Sequence, residues 1–151
     1  MEKICQYGDL ETAKAIIDAF LHCNLEKNKW THEAHIITGF YLYTICGDEA
    51  IEKIESHIRL FNDSVGTINS TTSGFHKTLT FFWMNAIAQF ADNVERLELN
   101  QRNLESLLNS PLTNSMLPQQ FYSKACLHTS KARMEVVEPD LQPLSSIITL
   151  K

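Results

Sequence analysis

Apolar residues recur along this chain at spacings of three and four, the pattern of helices that bury one face. The most regular run is Ile51, Ile54, Ile58, Phe61, Val65 and Ile68, which predicts a helix over 49–68. Upstream, Leu10, Ala13, Ile17, Phe20 and Asn24 form a stripe behind Asp9, whose side chain suits an N-cap, so a helix is expected over 9–24. Thr31 is an N-cap of the same kind for a helix over 31–46. Glu33 lies favourably in its first turn, against the positive end of the helix dipole, and Gly47-Asp48 stops it. The helix expected over 75–97 carries Leu79, Phe82, Trp83, Ala86, Ile87, Phe90 and Val94; as the most apolar of the four, it is expected at the centre of the core.

The connections are polar. Thr67, Asn69, Ser70, Thr71, Thr72 and Ser73, between Gly66 and Gly74, cannot bury themselves and must be surface loop or pocket lining. Beyond Glu98 a short helix is expected over 100–108, ended by Ser110-Pro111, with weaker helical turns near 119–127 and 130–136. The tail Glu138-Pro139-Asp140-Leu141-Gln142-Pro143-Leu144 is held extended by its prolines. Val136, Val137, Leu141 and Leu144 are expected to anchor it as a strap. The expected fold is therefore all-α: an antiparallel bundle of four main helices, short C-terminal helices and an extended C-terminal strap, in one domain over 1–151.

Composition narrows the class. At 151 residues and 44% hydrophobic content the chain can build one core without disulfide or metal staples. A net charge of −5 with no Lys/Arg-rich block argues against nucleic acid as a partner. No window approaches the roughly eighteen uninterrupted apolar residues of a membrane span, and Met1-Glu2-Lys3-Ile4-Cys5 lacks the regions of a signal peptide. A cytoplasmic protein without membrane partners is the expectation. Cys5, Cys23, Cys46 and Cys126 contain no C-x-x-C pair and read as buried thiols in a reducing compartment.

The candidate chemistry lies in three histidines. At about 100° per residue, His32 and His35 extend the buried stripe of the helix over 31–46, and His76 extends that of the helix over 75–97. Glu33 turns to the side or to solvent by the same periodicity. Short connections make neighbouring helices antiparallel, so the three imidazoles are expected at one end of the bundle, with Asn62 and Asn69 beside them and Thr80 one turn past His76. Unpartnered buried imidazoles are costly, so this end should hold hydrogen bonds, water, a ligand or a metal.

Two functional readings stay open, with a structural one beside them. Three neutral imidazoles suit one divalent transition metal such as Zn or Fe, and a metal-dependent enzyme would use His32, His35 and His76 as ligands. Glu138 or Asp140 from the strap would orient an imidazole or complete the coordination. Inward carboxylates of the di-iron kind are missing. Alternatively, a non-catalytic module would bind a small anionic ligand at the positive N-termini of two helices, with Asn62, Asn69 and Thr80 orienting it. Arg59 would support that ligand, although an ion pair with Glu55 four residues earlier is the more ordinary use of it. In the third reading the histidines are purely structural and the chain is an interaction protein, as a homodimer. His57 reads as structural, and no nucleophile elbow or Gly-rich phosphate loop is present.

The segments Trp30-Thr31-His32-Glu33-Ala34-His35, Gly74-Phe75-His76-Lys77-Thr78-Leu79-Thr80 and Val137-Glu138-Pro139-Asp140-Leu141-Gln142-Pro143-Leu144 together resemble a family of uncharacterised bacterial helical proteins. The resemblance would cover most of the chain. It implies that the three segments work together, and it implies no substrate. That family commonly places an acidic residue after the second motif's histidine, where this chain has Lys77, so no acid or base role carries over to position 77. Histidine-bearing bundles of the DinB type are similar in size, but their late H-x-x-x-H pair is not found here.

Overall fold

The computed structural model describes residues 7–149, so Cys5 and the segment Met1-Glu2-Lys3-Ile4-Cys5 lie outside the described residues. Within them the regular elements are helical and no strand occurs. The helices are α1 (Leu10–Leu21), α2 (His32–Cys46), α3 (Ala50–Ser64), α4 (Lys77–Ala91), α5 (Gln101–Leu108), α6 (Lys124–Leu127) and α7 (Ser130–Met134). None of the described helices is long and apolar enough to cross a membrane.

Helix starts follow the capping residues. Asp9 accepts the Thr12 N–H at 3.1 Å, Thr31 Oγ1 accepts the Ala34 N–H at 3.3 Å, and Asn100 accepts the Asn103 N–H at 2.8 Å. Each satisfies a donor that the first turn would otherwise leave orphaned. Helix ends depart further from the periodic pattern. The helix expected to reach Ile68 stops at Ser64, where the Thr67 N–H donates to the Asn62 carbonyl at 2.8 Å and the Gly66 N–H to that of Asp63 at 3.3 Å. Gly66 takes a left-handed φ of 79° to close this turn. Ile68, the last member of the stripe, is thrown out to 72% exposure. Similarly, α4 ends at Ala91 rather than 97, because Asp92 and Asn93 favour turns over helix. Val94 still packs on the core from the turn beyond.

The sequence pattern pointed to α4 as the centre of the core, and no residue of α4 is exposed; α2 has as many buried residues. Helix α2 packs against α4, α3 and α1, and the uninterrupted run Ile36 to Phe40 is buried. A helix covered on several sides needs no polar face, which is why α2 lacks the clear stripe of α3. Phe20, Phe40, Phe61, Phe82, Phe121 and Tyr122 are the largest fully buried aromatic side chains of the core. Trp30, just before α2, stacks on Phe20 of α1 with ring centroids 3.9 Å apart and leans on Phe61 of α3 at 5.6 Å. That residue therefore fixes the entry of α2 against two other helices.

Beyond α7 the chain is tied down by its backbone. The Tyr122 hydroxyl donates to the Val137 carbonyl at 3.0 Å, the Leu141 N–H to that of Phe121 at 2.9 Å, and Gln89 Nε2 to that of Leu144 at 2.8 Å. Thr78, fully buried on α4, donates to the Glu135 carbonyl at 2.9 Å and accepts the Val137 N–H at 3.2 Å. Val137 and Leu144 pack on the core and Ile147 is fully buried, but Val136 and Leu141, expected as anchors, are 41% and 56% exposed. Neighbouring residues on an extended chain face opposite ways, so only one of Val136 and Val137 can point inward. Deleting everything after Val137 is expected to cost about 2–4 kcal/mol, the range for emptying well-packed aliphatic sites. Thermal unfolding of the truncated protein checks this, and an unchanged midpoint would refute it.

The thiols of Cys23, Cys46 and Cys126 are free and half-buried rather than buried. Burial, with Asp140 nearby, pushes the Cys126 thiol pKa up, so it is a weak nucleophile.

Candidate functional site

The start of α2, the end of α3 and the start of α4 line one cavity of about 470 Å³. Its walls are aromatic and apolar, with Trp30, Phe61, Phe75, Leu79 and Trp83 prominent. Its polar contributors are Lys27, His35, Asn62, Thr67, His76 and Thr80. Four residues named from sequence are thus together here: His35, His76, Asn62 and Thr80. His32, Asn69 and Arg59 stand outside the lining.

His35 is the exceptional side chain. Its ring is open to solvent, yet protein surrounds it closely enough to push its pKa down to about 3, through burial first and the neighbouring His32 second. Both facts describe a side chain on the floor of a concave site, where water can reach it but cannot surround it. Trp30 leans against it, with centroids 4.3 Å apart. Neither ring nitrogen has a hydrogen-bond partner among the described residues. At neutral pH this is an uncharged imidazole with a donor and an acceptor uncommitted.

The other two imidazoles are engaged. His32 Nε2 donates to the Leu112 carbonyl at 2.7 Å, and its ring lies on Trp83 with centroids 4.5 Å apart, which ties α2 to α4 and to the turn at Pro111–Thr113. His76 caps α4: its Nδ1 accepts the Leu79 N–H at 3.1 Å, so the ring proton is on Nε2, which donates to the Leu127 carbonyl at 2.9 Å. Burial lowers the His76 pKa, with Arg133 and His128 adding repulsion, and the ring is a neutral wall of the cavity. Among the described residues no group of three or more His, Cys, Asp or Glu side chains is placed to hold a metal ion.

A supporting layer stands behind the lining. Asn69 Oδ1 accepts from Asn62 Nδ2 at 3.0 Å and from the Phe75 N–H at 2.9 Å, while its Nδ2 donates to the Arg59 carbonyl at 3.3 Å. One asparagine thus fixes both Asn62 and the backbone that delivers Phe75. Arg59 pairs with Glu55 at 3.1 Å and lies over the Phe75 ring at 4.6 Å from its centroid. Glu55 also takes Lys77 at 3.1 Å, which ties the first residue of α4 to α3. A lysine is unfavourable at a helix N-terminus, and the shared carboxylate offsets that.

Of the two acidic side chains of the tail, Asp140 is bonded to the start of α6. Asp140 accepts from the Ser123 N–H at 2.8 Å and its hydroxyl at 2.6 Å, bonds that hold its carboxyl below the usual carboxylate range. Ser123 is the N-cap of α6, so Asp140 braces the helix whose Leu127 carbonyl receives His76. Glu138 is exposed. Glu33, expected at the side or in solvent, is half-buried, with Oε1 enclosed and without a hydrogen-bond partner among the described residues. His57 lies near Phe20 at 6.3 Å, and burial lowers its pKa.

Periodicity did not single out Lys27 or Phe75 as lining residues, since both sit in irregular backbone. The one available signal was their position: each lies within a few residues of a candidate histidine's helix start. Compared with known proteins, the chain matches no protein-family model, no curated protein and no solved structure.

Proposed function

We propose that this protein is a binding module for a small organic anion with an aromatic or otherwise apolar body, held in the cavity between α2, α3 and α4. The observation that carries this reading is His35: a neutral imidazole with both nitrogens uncommitted among the described residues, facing a cavity otherwise lined largely by Trp30, Trp83, Phe61 and Phe75. Small-molecule sites combine such apolar walls with a few convergent polar groups. Lys27 is the cationic residue of the lining and makes no ion pair among the described residues, so the ligand's carboxylate belongs beside it. His35 would then exchange a hydrogen bond with a polar atom at the other end of the ligand.

The fold that frames the cavity we take to be one domain, an antiparallel bundle of the four longer helices closed by a C-terminal strap. Its support is the packing of α2 on α1, α3 and α4, the single contiguous core, and the bonds of Val137, Leu141 and Leu144.

Both tryptophans of the chain line the cavity, so intrinsic fluorescence reports on it specifically. Titration with aliphatic and aromatic carboxylates should give saturable changes that the matching primary amides do not. Lys27→Gln should weaken binding by about threefold to tenfold, as for a charge at a rim, and His35→Ala should weaken it further. The proposal fails if no carboxylate produces a saturable change.

A second reading rests on the pair His32 and His35, whose ring centroids are 6.4 Å apart on one helix. In that reading one divalent transition metal, Zn or Fe, binds there and supports metal-dependent catalysis, and His32 and His76 release the Leu112 and Leu127 carbonyls to reach it. Elemental analysis of protein purified without added metal decides it: stoichiometric metal that disappears in His35→Ala favours this reading over the first.

A further inference from the structure

His76 and Leu79 form a partition, because their far side lines a second cavity of about 280 Å³ between the first turn of α4 and the corner of α6 and α7. Ser115, Gln119, His128 and Arg133 supply its polar groups, and no carboxylate is among its described lining residues. Sequence explains the absence. The chain has no Asp or Glu between Asp63 and Asp92, nor between Glu105 and Glu135, and these two stretches build the cavity. Arg133 is thus the one formal charge among the described lining residues.

Arg133 is half-buried and held in place by one bond, Nη1 donating to the Gly74 carbonyl at 2.7 Å. It makes no ion pair among the described residues, and its nearest acidic neighbour in sequence, Glu135, pairs with Lys131 at 3.8 Å. A guanidinium presents five N–H donors in a rigid fork that matches the two oxygens of a carboxylate or phosphate. Four of the five are uncommitted to any bond within the described residues. Arg133 also stands close enough to disfavour protonation of His76, so its positive charge faces the side of α4. His76 cannot serve as the counter-group, since its two nitrogens are held by Leu79 and Leu127.

We propose that this second cavity is an oxyanion site, in which Arg133 grips a phosphate or carboxylate group bidentately, with Ser115 and His128 as the remaining donors. It is separate from the aromatic cavity and does not depend on what that cavity binds. A half-buried arginine fixed at one nitrogen is pre-organised, so little side-chain freedom is lost when the anion arrives.

The test uses the full chain, labelled with 15N, and three probes: inorganic phosphate, phenyl phosphate and acetate. Saturable shifts of the Ser115, His128 and Arg133 amides with any of them support the site, and the ranking of the three identifies the oxyanion. Arg133→Gln should abolish the shifts, but it also removes the bond to Gly74. Ser115→Asp avoids that problem, since Ser115 is exposed and makes no bond to the Gly74 loop. A carboxylate placed there should weaken binding by about tenfold or more through like-charge repulsion. Absence of saturable shifts in the wild-type protein overturns the proposal, and so does equal binding by Ser115→Asp. The aromatic cavity is judged by tryptophan fluorescence, so the two proposals fail separately.

Discussion

A chain carrying Gly74→Ala is expected to lose about 3 kcal/mol of stability, by a combination of left-handed backbone strain and overpacking. Gly74 ends the polar loop at φ 76°, where a β-carbon is disfavoured by its own backbone. It is also crowded: a Cβ there would come within 2.6 Å of the Ile68 carbonyl oxygen, 2.8 Å of the Asn69 Cα and 2.5 Å of Asn69 Oδ1. Two of those atoms are backbone and cannot swing aside. The third is the oxygen that holds Asn62 and Phe75, so displacing it would dismantle one wall of the aromatic cavity as well. Gly66→Ala is the matched control, since Gly66 has φ 79° but nothing within 4 Å of the added carbon. It should cost only about 1 kcal/mol, the conformational part alone. Urea unfolding of the two variants measures the difference, and equal losses would show that the crowding at Gly74 carries no weight.

His35 is expected to stay uncharged far below the ordinary range of an imidazole. Its folded-state pKa is depressed from 6.5 to about 3, so between those values the unfolded chain binds a proton that the folded chain does not. The stability associated with the neutral ring is therefore complete above pH 6.5 and lost progressively as the pH falls toward 3. Because cavity water reaches the ring and screens it, the expected loss by pH 5 is about 1 kcal/mol, less than the full shift would give. Burial lowers the pKa of His57 and His76 in the same direction, so acid lability alone does not isolate His35. Two measurements do. The carbon-bound ring protons of His35 should show no titration step between pH 6 and 7 by NMR, and His35→Gln should flatten the pH dependence of urea unfolding between pH 7 and 5. A normal midpoint for His35 would mean that the ring is not enclosed as described.

Several features were legible in sequence because they depend on neighbours along the chain. The caps at Asp9 and Thr31 needed only a side chain within reach of its own first turn. The stripe from Ile51 to Phe61 needed only helical periodicity, and Arg59 and Glu55 needed only their separation of four. His35, His76, Asn62 and Thr80 could be placed at one cavity because short connections bring the start of α2, the end of α3 and the start of α4 together.

What sequence did not determine is where each of these groups spends its hydrogen bonds, since those partners are distant along the chain. His32 and His35 are three residues apart on one helix, yet one finds the Leu112 carbonyl, 80 residues away, and the other faces a cavity with no hydrogen-bond partner among the described residues. His76 finds Leu127 across 51 residues, and Arg133 finds Gly74 across 59. Helix ends, too, were decided by loop closure at Gly66 and not by the apolar stripe that ran past it to Ile68. Periodicity and capping are local energies, so the all-helical character of the chain and the faces that carry imidazole and amide groups follow from residues near one another in sequence. Which imidazole is left uncommitted among the described residues follows from packing, because a histidine's state depends on the carbonyls and aromatic rings that distant parts of the chain bring to it.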